Sequence, residues 1–312
     1  SVTLLATPLY SNTTLVALLP TLAYGGTAIL LPKFDVRRYL EIAEAERATH
    51  TMLVPVQYQR IVGDPEFGKY DLSSFRVKLS TSAPLREQVK RAIVERWPGQ
   101  MIEYYGLTEG GATCSLNAGE NPTKLHTVGK PAPGCDVSII DEQGREVPQG
   151  TVGEVVGHSP GMMTGYYKRQ DKTQEILWQS PDGHTFFRSG DLGRFDEDGF
   201  LILLDRKKDM IISGGFNIYA ADLEAVLSKH PEVADVAVIA VPSERWGETP
   251  LALVVLRPGA AIGAETLRDW TNRQLGRTQR ISAVEFRPSL PRSSIGKILK
   301  RELREPYLRQ AS

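Results

Sequence analysis

The strongest constraint on this fold is an alternation within residues 1–125. Short β-prone runs take turns with helical stretches that are apolar on one side. Thr27–Leu31 is a short β run. From Val36 to Thr49 the spacing predicts a helix, with Val36, Tyr39, Leu40 and Ala43 on one face. Thr51–Val54 reads as a strand broken at Pro55, and Val77–Ser80 as another. Arg86–Trp97 reads as a helix closed by Pro98-Gly99. Such βα alternation predicts a mostly parallel sheet with helices packed on it.

Beyond Thr127 the rhythm changes. Val137–Ile140 runs into the turn signal Asp141-Glu142-Gln143-Gly144, and Asp196-Glu197-Asp198-Gly199 separates two apolar runs as a hairpin turn would. Short strands and frequent glycines predict a small β-barrel-like unit over 126–205. A charged joint, Arg206–Asp209, follows. After it, Ala221–Lys229 and Ala264–Leu275 read as helices, and Val233–Val241 and Leu251–Leu256 as strands. The expected organisation is an α/β subdomain at 1–125, the barrel-like unit at 126–205 and a mobile α+β domain at 206–312.

Composition narrows the function. The 37 basic and 37 acidic residues cancel, so no overall field favours nucleic acid or an acidic membrane. Cys114 and Cys135 are too few for a disulfide framework, which points to a reducing, cytoplasmic setting. No run approaches the roughly 18 apolar residues of a membrane span. Leu15–Leu22 and Ala28–Leu31, interrupted by Pro20, Gly25 and Gly26, read as a buried helix and strand. The opening Ser1-Val2-Thr3-Leu4-Leu5 reads as the middle of a domain, so an N-terminal part of a longer protein is expected to be missing.

Four stretches carry chemistry in a fixed order. They are Tyr105-Gly106-Leu107-Thr108-Glu109, Ser189-Gly190-Asp191, Asp205-Arg206-Lys207-Lys208-Asp209 and Gly296-Lys297. Each alone also fits a surface turn. Together they supply a hydroxyl, carboxylates, an arginine and a late lysine, a set suited to a nucleotide, its metal and a reacting carboxylate. Their order and wording resemble the adenylate-forming superfamily of acyl- and aryl-CoA ligases, firefly luciferase and peptide-synthetase adenylation domains. The resemblance covers essentially the whole chain, as the C-terminal three-fifths of a complete ligase.

The resemblance implies roles. Glu109 is the expected ligand of Mg²⁺, a cation that often takes one or two protein carboxylates beside phosphates, and Thr108 would donate to a phosphate. Asp191, a carboxylate after Ser-Gly, can accept both ribose hydroxyls, with Arg206 near the same sugar. Tyr105 and Gly106 are expected to bind the nucleotide as well. The small residues Ser82-Ala83-Pro84 would let adenine approach closely. Lys297 would bridge the attacking carboxylate and the phosphate, and Lys208 would be the hinge of the mobile domain. Gly214 and Gly215 would border the pantetheine tunnel, and Trp246 could stack on the CoA adenine with Arg245 near its phosphates. Val56, Tyr58, Ser80, Gly110, Gly111 and Thr113 could line the acyl pocket, small residues at 110–112 leaving space for a ring or chain.

Three features depart from the resemblance. In Thr7-Pro8-Leu9-Tyr10-Ser11-Asn12, Ser11 stands where many relatives have His. Thr278-Gln279 replaces a common Tyr-Lys pair. No Ser/Thr/Gly-rich phosphate loop with its lysine is found in the chain. The expected activity is an ATP-dependent carboxylic acid:CoA ligase, passing through acyl-AMP and using ATP, Mg²⁺ and CoA, with this chain alone inactive. A homodimer is one assembly this reading allows. A free-standing adenylation domain loading a carrier protein, a luciferase-like oxidase and a non-catalytic nucleotide-binding fragment remain open.

Overall fold

A computed structural model describes residues 1–293 and 296–310. The chain forms two compact units. The first holds Ser1–Ser189 and Gly193–Leu203, and the second holds Gly190–Leu192, Leu204–Ser293 and the described residues from Lys297 onward.

The first unit opens as the alternation predicts. In chain order it contains β1 (Val2–Leu5), α1 (Asn12–Ala23), β2 (Thr27–Leu30), α2 (Val36–Ala45), β3 (His50–Leu53), α3 (Pro55–Val62), β4 (Val77–Ser80), α4 (Glu87–Arg96), β5 (Gln100–Tyr105), β6 (Cys114–Asn117) and β7 (Lys130–Pro131). The seven strands form one sheet in the order β2-β1-β3-β4-β5-β6-β7. β1 to β5 pair in parallel, and β6 and β7 are antiparallel additions. Helix α2 is held by Asp35, whose carboxylate accepts from the Arg38 amide, and it buries Val36, Tyr39, Leu40 and Ala43. Pro55, read as a break, is the first residue of α3, where its fixed φ suits a helix start.

Trp97 is the hub of this core at 1% exposure. Tyr39, Tyr58, Phe67 and Phe75 meet it edge-on, with centroids 5.1–6.3 Å away. Lys78 on β4 is fully buried nearby. Its ammonium donates to the carbonyls of Trp97 (3.1 Å), Pro98 (2.6 Å) and Gly99 (2.7 Å), capping the end of α4 with a cation. Burial pushes this ammonium down to about 7.

Helix α1 is not the buried helix its apolar composition predicts. Its packed face is Thr13, Thr14, Ala17 and Thr21, while Val16, Leu19 and Leu22 are 47–58% exposed. The small residues win because they seat the helix tightly. Thr21 shares a hydroxyl hydrogen bond with Thr3 of β1 at 2.7 Å, as Thr14 does with Thr7. β2 is likewise only half-buried, as an edge strand.

A five-stranded sheet follows, from β8 (Asp136–Ile140), β9 (Gly153–His158), α5 (Gln170–Glu175), β10 (Leu177–Gln179), β11 (Thr185–Phe195) and β12 (Leu201–Arg206). Its order is β10-β11-β9-β8, with β12 on β11, and among the described residues no pair closes it into a barrel. The Asp196 turn joins β11 to β12. Its carboxylate accepts from the amides of Asp198 (3.0 Å) and Phe200 (2.9 Å).

The second unit holds β13 (Ile211–Ser213), β14 (Phe216–Ile218), α6 (Ala220–Leu227), β15 (Val233–Ser243), β16 (Gly247–Leu256), α7 (Ala264–Asn272), β17 (Ala283–Phe286) and α8 (Lys300–Gln310). Its sheet runs β14-β13-β16-β15, with β17 parallel to β16. Among the described residues no helix is long and apolar enough to cross a membrane.

Candidate functional site

In the first unit the candidate residues follow the C-terminal ends of β4 and β5, where open α/β sheets place ligands. Past β4 comes Ser82-Ala83-Pro84. Ser82 has φ +81°, a left-handed conformation costly for any residue with a Cβ. Its hydroxyl is 2.5 Å from that of Thr13 on α1. Past β5, Tyr105 is buried among Ala112, Cys114, Val128 and Val155, and Gly106 is exposed. Thr108 and Glu109 sit in the following turn, with Thr108 exposed.

Glu109 is oriented by two contacts. Its Oε1 accepts from the Tyr166 hydroxyl at 2.8 Å, and its carbonyl accepts from the Met163 amide at 2.8 Å. Burial and the adjacent carboxylate push the Tyr166 phenol up to about 12, so it stays a donor. Among the described residues no three His, Cys, Asp or Glu side chains gather as a metal cage. A single oriented carboxylate fits Mg²⁺ arriving with phosphates and water, and does not fit a metal held by protein alone.

Gly110 and Gly111 are glycines because backbone from another segment passes where a side chain would stand. Their φ values are +83° and +88°. A Cβ on either would lie 2.6 Å from a backbone oxygen, that of Gly161 or Gly157. Gly157 is the tightest partner, because a Cβ there would meet the Ala112 backbone at 2.2 Å. These glycines serve backbone approach between segments.

Ser11 has a structural task in place of a gating ring. It is the N-cap of α1, and its hydroxyl accepts from the Thr13 amide at 3.3 Å.

The second unit gathers the other set. Asp191 is 9% exposed, and its Oδ1 accepts from Arg206 Nε at 2.9 Å. The Lys207 amide bonds the Gly190 carbonyl at 2.9 Å, tying the two motifs through backbone as well. Lys297 is electrostatically coupled to both charges. Burial lowers its pKa first, Arg206 and Lys208 lower it further, and Asp191 and Asp209 oppose them. The spatial grouping of Asp191, Arg206, Lys208 and Lys297 joins three motifs far apart in sequence. Ser294 and Ile295 of the lysine segment lie outside the described residues. Around them, the Ser293 amide bonds the Lys297 carbonyl at 2.8 Å, and Ser293 Oγ accepts from the Lys297 amide at 3.2 Å.

Lys208 is exposed in the turn after β12, where the amides of Asp209 and Met210 both bond the Arg206 carbonyl. Beside it, Asp205 accepts from the Ala220 amide at 2.8 Å, supplying α6 with the cap its own Tyr219 does not provide. Lys300 pairs with Glu224 at 2.8 Å. Burial pulls the Lys300 pKa down, but Glu224 and Asp205 outweigh it and leave it raised.

Gly214 and Gly215 form the two-residue turn between β13 and β14, with φ +56° and +83°. A Cβ on Gly214 would lie 2.8 Å from Trp246 Cε3, and the Gly214 amide bonds the Trp246 carbonyl at 2.8 Å. The indole therefore rests on the glycine turn. It is 47% exposed, with the Arg245 guanidinium 4.6 Å above the ring. Gln279, in place of the usual cation, reaches Asp222 at 3.5 Å.

Sequence reasoning missed Tyr166 and Thr13, which meet the candidates Glu109 and Ser82 from 57 and 69 positions away, and Glu103, which holds Leu85 next to Pro84 from 18 positions away. No local pattern signals such partners.

Comparison with known proteins adds the following. The model of the family described as AMP-binding enzyme matches residues 1–167, and that of the AMP-binding enzyme C-terminal domain matches residues 222–297. A feruloyl-CoA synthase from Amycolatopsis sp. is 38% identical over 306 residues, covering 97% of this chain and 61% of that protein. The amide bond synthetase McbA from Marinactinospora thermotolerans superposes with a TM-score of 0.89 at 36% identity, covering 98% of this chain and 61% of that one. ATP-bound MatB from Rhodopseudomonas palustris does so with a TM-score of 0.89 at 34% identity, covering 98% and 60%. The chain thus spans 60–61% of the length of these three relatives.

Proposed function

This chain belongs to the AMP-binding enzyme family, and on that premise we propose that it is the nucleotide- and thiol-handling part of an ATP-dependent carboxylic acid:CoA ligase. The substrate carboxylate attacks the α-phosphorus of ATP, pyrophosphate leaves, and the acyl-adenylate is then opened by the CoA thiol with release of AMP. The observation that carries this reading is the grouping of Lys297 with Asp191 and Arg206 in the second unit. A buried carboxylate held by a guanidinium suits a ribose diol. A lysine coupled to that pair, its charge already disfavoured by burial, gains most where phosphate and carboxylate anions arrive.

Each residue then has a task. Asp191 accepts from the ribose hydroxyls, and Arg206 fixes it. Ser82-Ala83-Pro84 takes the adenine, and Tyr105-Gly106 leads the chain to the phosphates. Thr108 donates to a phosphate oxygen. Glu109, aimed by Tyr166, holds the Mg²⁺ that comes with ATP, and that ion supplies charge neutralisation at the phosphates. Lys208 is the hinge of a mobile 206–312 domain, and the β-rich 126–205 stretch precedes it. Gly214, Gly215 and Trp246 serve CoA, with Arg245 near its phosphates. The unbridged Cys114 and Cys135 fit a reducing cytoplasm.

A second reading comes from the acceptor. The likeness to an amide bond synthetase makes an amine an alternative to the CoA thiol. The exposed Trp246–Arg245 pair favours CoA, because it offers a stacking face and a cation side by side.

The test is acid-dependent ATP–pyrophosphate exchange by the full-length protein, over a panel of aryl and aliphatic acids, followed by addition of CoA or an amine. AMP and an acyl-CoA are expected. Exchange without thioester but with amide would replace the acceptor, and no exchange with any acid would end the ligase reading. Lys297→Ala is expected to lower exchange by about 10²–10³-fold, the scale of one lost electrostatic stabiliser.

A further inference from the structure

The loop after β4 is gripped from both ends. At its start, Ser82 holds φ +81°, and its hydroxyl meets Thr13 Oγ1 at 2.5 Å. At its end, the Leu85 amide donates to Glu103 Oε1 at 2.8 Å. Glu103 lies on β5 directly opposite Ser80 of β4, so a strand partner reaches past the end of its neighbour.

Glu103 is itself fixed. It forms an ion pair with Lys90 of α4, and both side chains are 2% exposed. Lys90 donates onward to the Thr127 carbonyl at 2.8 Å. A buried pair of this kind adds little net stability over apolar residues, but it sets geometry firmly, since either charge alone would be costly. A left-handed serine likewise persists only where its surroundings over-determine it.

We propose that Thr13 and Glu103, with Lys90 fixing the Glu103 carboxylate, are positioning residues that hold the backbone of residues 82–85 as a preformed seat for the base of an adenine nucleotide. The inference rests on the adenylate reading of Ser82-Ala83-Pro84. A loop ordered before binding does not lose its freedom when the ligand arrives, so the grip converts directly into nucleotide affinity. It also separates two jobs. Ser82 to Pro84 meet the ligand with small groups, and residues behind them carry the acceptor oxygen and hydroxyl that set the shape.

The experiment uses the full chain, AMP as probe, and amide hydrogen exchange across residues 82–86. Thr13→Val removes the hydroxyl with almost no change of shape. Lys90→Met/Glu103→Leu replaces the buried pair and deletes the acceptor for Leu85. Lys90→Met/Glu103→Gln neutralises the pair but keeps an oxygen for that amide. The first two are expected to speed exchange in the loop by about 10-fold and weaken AMP binding by about 5–20-fold, with melting little changed for Thr13→Val. The Gln-containing pair is expected to stay within about 2-fold of the parent in both. Unchanged loop exchange in Thr13→Val, which is too conservative to unfold the chain, overturns the clamp. Faster exchange with unchanged AMP affinity, or a parent chain that ignores AMP, overturns the nucleotide seat and with it the adenine assignment of the loop.

Discussion

Lys78 offers a quantitative test of the first unit's energetics. It is fully buried, and its ammonium meets the carbonyls of Trp97, Pro98 and Gly99 at 2.6–3.1 Å. Burial lowers its pKa from 10.5 to about 7. The sign follows from proton counts. Between about 7 and 10.5 the unfolded chain binds this proton and the folded chain does not, so stability rises with pH across that window. Below it both states are charged, and the full burial cost is present. One differential proton is worth ~1.4 kcal/mol per pH unit, which gives a gain of about 2 kcal/mol between about pH 7 and pH 9. Lys78→Met removes the titration, so the stability of the parent relative to the variant should rise by that amount across the same interval. The variant also leaves three carbonyls without a donor. That costs ~1–3 kcal/mol for each one that finds no water, offset by the relief of not burying a charge. Urea unfolding of both chains followed by circular dichroism at the two pH values measures this. Parallel stability curves would refute the reasoning, because they would mean that the three carbonyls hold the ammonium at its ordinary pKa.

Other outcomes follow from single contacts. Ser11→Ala should destabilise α1 by about 1 kcal/mol through loss of its N-cap, seen as faster amide exchange in Asn12–Leu15. Gly157→Ala would force a Cβ to 2.2 Å from the Ala112 backbone and should cost at least ~3 kcal/mol, measured by denaturant midpoint. In the full-length protein, Trp246→Ala should slow thioester formation by about 10-fold, the scale of one lost base-stacking contact, while pyrophosphate exchange is retained. Tyr166→Phe should raise the Mg²⁺ concentration needed for half-maximal exchange, because Glu109 loses its orienting hydroxyl.

Much of the scaffold was legible. The four apolar positions of α2 stand at helical spacing and are the four it buries. Val77–Ser80 is β4 to the residue, and the Asp196 turn joins two strands. Local pattern suffices there because local packing decides the outcome. It fails where a residue answers to a distant neighbour. Leucines outnumber threonines in α1, yet the threonines face inward, because Thr3 and Thr7 on or beside β1 offer hydroxyls to match. That Gly110 and Gly111 are contact points for Gly161 and Gly157 is not visible in one dimension. Of the candidate site, the sequence displays the residue types and order. The Asp191–Arg206 bond, the lysine beside it and the hydroxyl that aims Glu109 become visible only in the fold.

The parallel strands β1, β3, β4 and β5 all release their chains toward the same edge of one sheet. The buried core belongs largely to strand bodies and helix faces, whereas the segments from Ala6, Val54, Thr81 and Gly106 begin where pairing stops. Register and recognition are therefore written in different residues. A lineage, or a designer, can exchange one of these segments as a cassette and change what the loop meets, provided the anchors behind it are carried across with it.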